Sequence, residues 1–484
     1  MPKADTDVAT TPPIDRTERV TPPASVGRLA WLIGPALVAG VAYLDPGNVA
    51  SNMTAGAQYG YLLVWVVVLG NVMAWLIQYL SAKLGIVTGE SLPEVLGRRM
   101  RNRWGRRAYW LQAELVAMAT DLAEVIGGAV ALNLLFGIPL IWGGLITGTV
   151  SIVLLVLQSK RGPRTFEFVI MGLLVIIAIG FSVGVFIAPP DPAELVAGLV
   201  PRFEDANSVL LAASILGATI MPHAIYAHSA LSRDRFVMRQ SLGGSRVSAE
   251  DPVTAGVDPE IAAAASGGAV RRGFARLVVR EGSGDLARVR GGEPGTATTL
   301  PTDRLVRATR WDVSIAMAIA GTVNLCILLL AAVNLAGVEG TDSLEGAYAA
   351  LYVSLGPVIA TLFAVGLLAS GLASTSVGAY AGAEIMQGLL HVRIPLLVRR
   401  LITLIPALAV LWAGFDPTLS LVLSQVVLSF GIPFALVPLV ALTARSGVLG
   451  RWRNHWATTA AGIAASIFLI TLNAVLLWLV FTGA

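Results

Sequence analysis

Charge is scarce in this 484-residue sequence: 13% of it is Asp, Glu, Lys or Arg, against 55% hydrophobic residues. Soluble domains carry about 25% charged residues, so a soluble reading is excluded. Cysteine occurs once, as Cys326 in an apolar run. That excludes an intrachain disulfide and any C-x-x-C zinc or redox site, and the residue reads as a small packing side chain. Histidine occurs four times and never as H-E-x-x-H, which removes the zinc-hydrolase pattern. No cofactor-binding motif is present, so no cofactor and no enzymatic activity is expected. Residues 1–28 are polar, Pro- and Thr-rich and lack the apolar core and cleavage site of a secretory leader, so a tail before the first span is expected there.

What the chain does have is long apolar runs. A spanning helix needs about 20 such residues, and the hydropathy and breaker pattern predicts eleven spans. They cover about 31–56, 61–84, 108–135, 141–158, 166–188, 207–231, 312–337, 358–389, 398–415, 419–443 and 456–481. A short extracellular helix is expected over 346–356. The chain divides into a disordered cytoplasmic tail (1–30), six spans (31–231), a mostly flexible cytoplasmic loop (232–311) and five further spans (312–484). Within the loop, 260–279 could form a basic surface helix.

With the N-terminus in the cytoplasm, segments 1–30, 83–107, 159–165, 232–311, 391–400 and 444–456 face inward and hold 33 of the 34 Lys and Arg residues. Arg202 alone falls outside. The parity puts the C-terminus outside, in the cell membrane. The basic balance then belongs to loops beside anionic lipid, which excludes nucleic acid as a partner.

Two spans are broken. The first contains "LDPGN" (44–48) and the sixth "GATIMPHAIYAHSAL" (217–231). Proline removes a backbone donor and pushes its predecessor out of helical geometry. The carbonyls thus freed are tolerated in a bilayer only inside protein or along a wet cavity. Breaks in spans one and six fall at matching places if spans 1–5 and 6–10 are two halves. Five spans per half makes the halves inverted, and paired breaks in such repeats point to a midplane site. There Asp45 offers a carboxylate, Asn48 an amide oxygen, the Ala218 carbonyl another oxygen and Met221 a thioether. Oxygens alone would suit Mg²⁺ or Ca²⁺, whereas sulfur favours softer metals. The mixed set suits Mn²⁺ or Fe²⁺, although a lone methionine is ordinarily a packing residue.

Glu114, Asp121 and Glu124 in span three share one helical face. Intramembrane acids are functional by default, and Arg399 and Arg400 at the inner end of span nine could pair with them. His223 adjoins the break and is suited to proton transfer. His228 lies two turns further and could equally be a packed core histidine. Gln425 is the foremost of the remaining intramembrane amides, with Asn71, Gln78, Asn324 and Asn334 behind it. The small-residue run 370–382 predicts close helix packing.

"DPGN" and "GATIMPHAIYAHSAL", with "QAELVAMATDLAE" and "DPTLSLVLSQVVLSFGI", resemble the signature segments of the Nramp divalent-metal transporters, most like the bacterial proton-coupled manganese transporters. The resemblance extends over about 31–232 and 311–443. It implies an all-α LeuT-like fold and proton-coupled import of Mn²⁺ and Fe²⁺, with metal ions and protons as partners and a monomer as the working unit. It implies metal binding by Asp45, Asn48, Met221 and the Ala218 carbonyl, joined in some states by the Ala42 carbonyl and Gln425. The implied proton route runs through Asp45, His223, Glu114, Asp121, Glu124, Arg399 and Arg400. Met221 argues against the magnesium-transporting branch. Ala224 stands where many relatives have Asn, and the 232–311 loop is longer than usual. A Na⁺-coupled amino-acid carrier of the same fold would need a helix N-terminus free of a carboxylate, where Asp45 stands. A non-transporting metal sensor using the long loop is the other alternative.

Overall fold

The computed structural model describes residues 35–161, 163–244, 302–392 and 396–482. The expected tail over 1–30 and the basic stretch at 260–279 lie outside the described residues. Among the described residues there are helices and no strand. The helices are α1 (Pro35–Val41), α2 (Pro46–Tyr59), α3 (Val64–Thr88), α4 (Leu92–Arg99), α5 (Arg103–Phe136), α6 (Leu140–Arg161), α7 (Pro163–Ile187), α8 (Pro192–Ala197) and α9 (Ala206–Ile220). They continue with α10 (Pro222–Gly244), α11 (Thr302–Asn334), α12 (Leu344–Leu355), α13 (Pro357–Leu390), α14 (Leu396–Trp412), α15 (Pro417–Ala444), α16 (Ser446–Leu449) and α17 (Trp456–Thr482).

Eight segments are long and apolar enough to cross a bilayer: α3, α5, most of α7, the α9–α10 pair, α11, α13, α15 and α17. The broken α1–α2 pair, α6 and the 17-residue α14 complete a set consistent with eleven spans. Large apolar side chains such as Phe186, Trp412 and Phe481 are more than 80% exposed, as a surface against lipid tails allows and a surface against water does not. The short helix expected over 346–356 is α12.

The packing repeats itself between halves. Helix α2 packs on α11 as α10 packs on α3, and α13 packs on α7 as α15 packs on α5. Exchanging spans 1–5 for 6–10 maps each contact onto its partner. The pairs α5–α13 and α3–α11, whose members exchange with each other, also pack together. That is the signature of two equivalent halves, and five spans in each makes them antiparallel.

Three details differ from the sequence expectations. The segment 83–107, expected to face inward, contains α4, opened by a capping box in which Ser91 and Glu94 each bond the other's backbone. The S-x-x-E pattern after Gly89 was a legible signal for it. Helix α10 runs to Gly244 and α11 begins at Thr302, so both ends of the 232–311 loop are helical. Arg399 and Arg400, counted with the basic residues of segment 391–400, lie inside α14 and are 4% and 1% exposed, while their expected pairing with the acids of α5 is present.

A polar cluster ties α4, α10 and α13 together. Arg233 reaches Glu94 Oε2 at 2.5 Å, both Glu384 oxygens at 3.2 Å and Asp234 Oδ1 at 2.8 Å, while Tyr380 donates to Asp234 Oδ2 at 2.7 Å. The α2–α11 seam instead relies on absence of bulk. A methyl at Gly56 would lie 2.7 Å from Ala331 Cβ and 2.9 Å from the Ala332 nitrogen. Since the neighbours are backbone and a stub side chain, Gly56→Leu is expected to destabilise the protein by about 1–3 kcal/mol, measured as a lower unfolding midpoint in detergent.

Candidate functional site

The two breaks obey one rule. In a continuous helix the carbonyls of Ala42 and Ala218 would accept from the residues four positions on. Those residues are Pro46 and Pro222, which have no N–H to give. At the first break a single 3₁₀ turn, Ala42–Leu44, ends in Asp45, whose extended backbone starts α2. Asp45 is the N-cap of α2, accepting the Asn48 backbone N–H on Oδ1 at 2.8 Å. At the second break Met221 caps α9 with φ 38° and ψ 99°. A positive φ is uncommon outside glycine and costs on the order of 1–3 kcal/mol. Surrounding packing holds it there, for Met221 is fully buried.

Loose carbonyls at the first break are gathered in by side chains from other helices. Tyr43 O accepts from Asn48 Nδ2 and, at 3.1 Å, from Asn324 Nδ2 of α11. Leu44 O accepts from Ser370 Oγ of α13. The amino end of α1 is held as well, since the Ala36 N–H donates to Asp312 Oδ2 of α11 at 3.0 Å. Asn52 Nδ2 donates to Asn48 Oδ1 at 2.6 Å, fixing the amide's orientation. Ser51 and Ser214 share a 2.6 Å hydrogen bond that joins α2 to α9.

Gln425 of α15 spans both breaks. Its Nε2 donates to Asp45 Oδ2 at 3.2 Å, and its Oε1 is buried with no hydrogen-bond partner. Its side chain fills the space beside Gly47, and its carbonyl oxygen sits over Gly217. Asp45, Asn48, Ala218, Met221, Ala42 and Gln425 are therefore all buried around the paired breaks. Among the described residues no group of three His, Cys, Asp or Glu is arranged to hold a metal. An ion here would need the amide, carbonyl and thioether donors beside the single carboxylate.

Next to this site lies the charged network. Glu114 Oε1 takes Arg399 Nη2 at 2.9 Å and Nε at 3.2 Å. Arg400 Nη1 lies 2.8 Å from Asp121 Oδ1 and 3.3 Å from Glu124 Oε2. Arg399 Nη1 is 3.9 Å from Asp121 Oδ2. Arg400 also donates to Ser151 Oγ at 2.9 Å and Thr375 Oγ1 at 3.3 Å. The five charged groups are at most 9% exposed. Three carboxylates share two guanidiniums, and each acid keeps one buried oxygen without a hydrogen-bond partner: Glu114 Oε2, Asp121 Oδ2 and Glu124 Oε1.

The small-residue run on α13 makes room for this network as well as for helix packing. A methyl at Gly378 would lie 3.1 Å from Glu124 Oε1 and 3.5 Å from Asp121 Oδ1, and Gly382 faces the Arg399 guanidinium. His223 Nδ1 is 3.1 Å from Thr120 Oγ1 on the acid-bearing α5. His228 is placed apart from the acids, with Nδ1 2.8 Å from Gln78 Oε1 of α3. Among the described residues Asn334 bonds only the Leu330 carbonyl of its own helix, at 2.9 Å. Sequence reasoning missed Asn52, Thr120, Ser151, Ser214, Ser370 and Thr375, since hydroxyls and amides in apolar helices carry no signal until their neighbours are known.

Two inverted halves, each opening with an interrupted helix whose break faces the centre, define a multi-pass membrane protein of the LeuT-like fold. The structures of the transporter Mhp1 and of MhsT in complex with L-phenylalanine share this fold, each at TM-score 0.51 and with 14% and 12% identity. The chain belongs to the Nramp family: the profile described as natural resistance-associated macrophage protein-like matches residues 36–479. It is 54% identical over 453 residues to a divalent metal cation transporter MntH of Mycobacterium tuberculosis, covering 94% of this chain and 92% of that one. It is 42% identical over 461 residues to the MntH of Deinococcus radiodurans, covering 94% and 91%. A crystal structure of the Eremococcus coleocola manganese transporter, in complex with an aromatic bis-isothiourea substituted compound, is similar at TM-score 0.72 and 28% identity, covering 94% of this chain and 88% of that one.

Arg400→Ala should strand Asp121 and Glu124 beside each other without their shared cation, at a cost of about 3–5 kcal/mol. Thermal unfolding of the purified protein should show that loss. Adding Glu124→Gln should recover part of it; a double variant no more stable than Arg400→Ala would contradict the pairing.

Proposed function

We propose that this protein is a secondary transporter that imports divalent transition-metal ions, Mn²⁺ or Fe²⁺, together with protons. The observation that carries the reading is Asp45, a fully buried carboxylate at the junction of two half-helices. Gln425 supplies its only side-chain hydrogen bond among the described residues, at 3.2 Å. A lone acid in such a place is costly unless a cation or proton shares it. Supporting it are the names of the curated relatives, divalent metal cation transporters.

In this reading the cargo ion is held by Asp45, Asn48, Met221 and the Ala218 carbonyl, with the Ala42 carbonyl and Gln425 as further oxygen donors. The two proline-freed carbonyls stand at equivalent places in the two halves, so each half contributes one oxygen. The thioether sulfur disfavours Mg²⁺ and Ca²⁺, which prefer all-oxygen shells.

Protons take a separate route. Asp45 gives way to His223, then through the Thr120 face of α5 to Asp121, Glu124 and Glu114, with Arg399 and Arg400 as counter-charges. Three acids with two guanidiniums leave one negative charge in excess, and one bound proton neutralises the network. The oxygen without a hydrogen-bond partner on each acid can take that proton while the hydrogen bonds from Arg399 and Arg400 stay in place. His228, whose Nδ1 lies 2.8 Å from Gln78 Oε1, is a further member of this route. The protein works as a monomer in the cell membrane with its N-terminus in the cytoplasm and its C-terminus outside.

Uptake into liposomes tests this. Asp45→Asn should abolish Mn²⁺ uptake, and wild-type-like uptake by that variant would sink the site. Met221→Ala should keep Mn²⁺ uptake while weakening discrimination against Ca²⁺ and Mg²⁺; unchanged selectivity would remove sulfur from the site. Internal pH should fall as metal accumulates, and metal accumulation at constant pH would exclude proton coupling.

A further inference from the structure

A groove of about 580 Å³ opens along the amino-terminal part of α3, whose other end carries Lys83. Trp65, Val68 and Val72 of α3 form one wall, Phe468 of α17 another, and Leu199 and Phe203 of the segment after α8 close the top. The lining is apolar with one exception, Arg202. The groove is built rather than incidental. The Trp65 backbone N–H donates to Gly198 O at 3.0 Å and its indole Nε1 donates to Arg202 O at 3.4 Å, so the upper segment is tied to α3. The Trp65 ring meets Phe203 edge-on at 5.4 Å and Phe468 at 6.5 Å.

Two measures indicate what fills it. Trp65 to Val72 advances about 10 Å along the helix axis, well short of a bilayer core of about 30 Å, so the groove serves one leaflet. It also faces outward into hydrocarbon, since Val68 and Val72 are 39% and 59% exposed.

The charge at its mouth is singular. Arg202 is the one Lys or Arg of the whole chain outside the inward-facing segments. Among the described residues no ion pair engages its guanidinium. The neighbouring Asp205 is occupied instead by the Tyr59 hydroxyl, at 2.6 and 2.8 Å, and by the Ser208 N–H at 2.7 Å.

We propose that this groove is a binding site for one phospholipid of the outer leaflet, with an acyl chain between α3 and α17 and the headgroup phosphate on Arg202. The apolar wall takes the chain, and the guanidinium takes the phosphate through charge-assisted hydrogen bonds. The bound lipid fills the seam between α17, which packs on α9 and α15, and α3.

Native mass spectrometry of the delipidated full-length protein tests this, with phosphatidylglycerol and the matching diacylglycerol as probes. One saturable phosphatidylglycerol adduct is expected, with no comparable diacylglycerol adduct. Arg202→Gln should weaken it about tenfold, the worth of one charge-assisted contact. Val68→Trp, which fills the groove from an exposed position, should remove it, and Val72→Trp gives an independent check. Equal retention of diacylglycerol, adducts unchanged in Arg202→Gln and both tryptophan variants, or a dimer whose formation excludes lipid would each overturn the proposal.

Discussion

Hydrocarbon offers a backbone carbonyl nothing to bond. Every polar group that this fold breaks out of a helix must be paired again inside the protein. At the first interruption that demand is met by Asn48, Asn324 and Ser370, reaching in from three helices. Helices α11 and α13 are thereby committed to particular positions beside α1. The pseudo-symmetric packing of the halves supplies these neighbours. The proline–glycine pair creates the need, and the surrounding bundle exists in the form that answers it.

The same constraint governs the charged network. Isolated, each of Glu114, Asp121, Glu124, Arg399 and Arg400 would carry a desolvation cost of several kcal/mol. Together they offset one another through contacts of 2.8–3.3 Å. The space they occupy is provided by glycines of α13. Small residues there therefore serve electrostatics as much as helix approach.

Much of this was legible in sequence because the informative residues are anomalies. Asp45, Pro46 and Met221–Pro222 stand out in apolar runs, and the acids of α5 share a face through helical periodicity alone. What sequence could not supply was partnership. Gln425 was the foremost of the intramembrane amides, but its hydrogen bond to Asp45 was visible only once α15 carried it there. Ser370 and Thr375 looked like packing residues until the structure set them beside a loose carbonyl and a guanidinium. Arg399 and Arg400 were legible as partners of the acids from their place at the inner end of span nine, but which guanidinium meets which carboxylate was not. Helix α4 was overlooked for the opposite reason: it is too polar for a span, and its signal is a cap.

The position of Gln425 has one more consequence. An amide is a donor on one side and an acceptor on the other. Its Nε2 now steadies the Asp45 carboxylate, and its Oε1 is buried and unused. A half-turn about the last side-chain bond exchanges the two. The side chain that shields a bare carboxylate would then offer an oxygen to a cation resting on it. In the proposed metal-bound form the centre would thus differ from the one described here by a rotamer alone, before any helix moves.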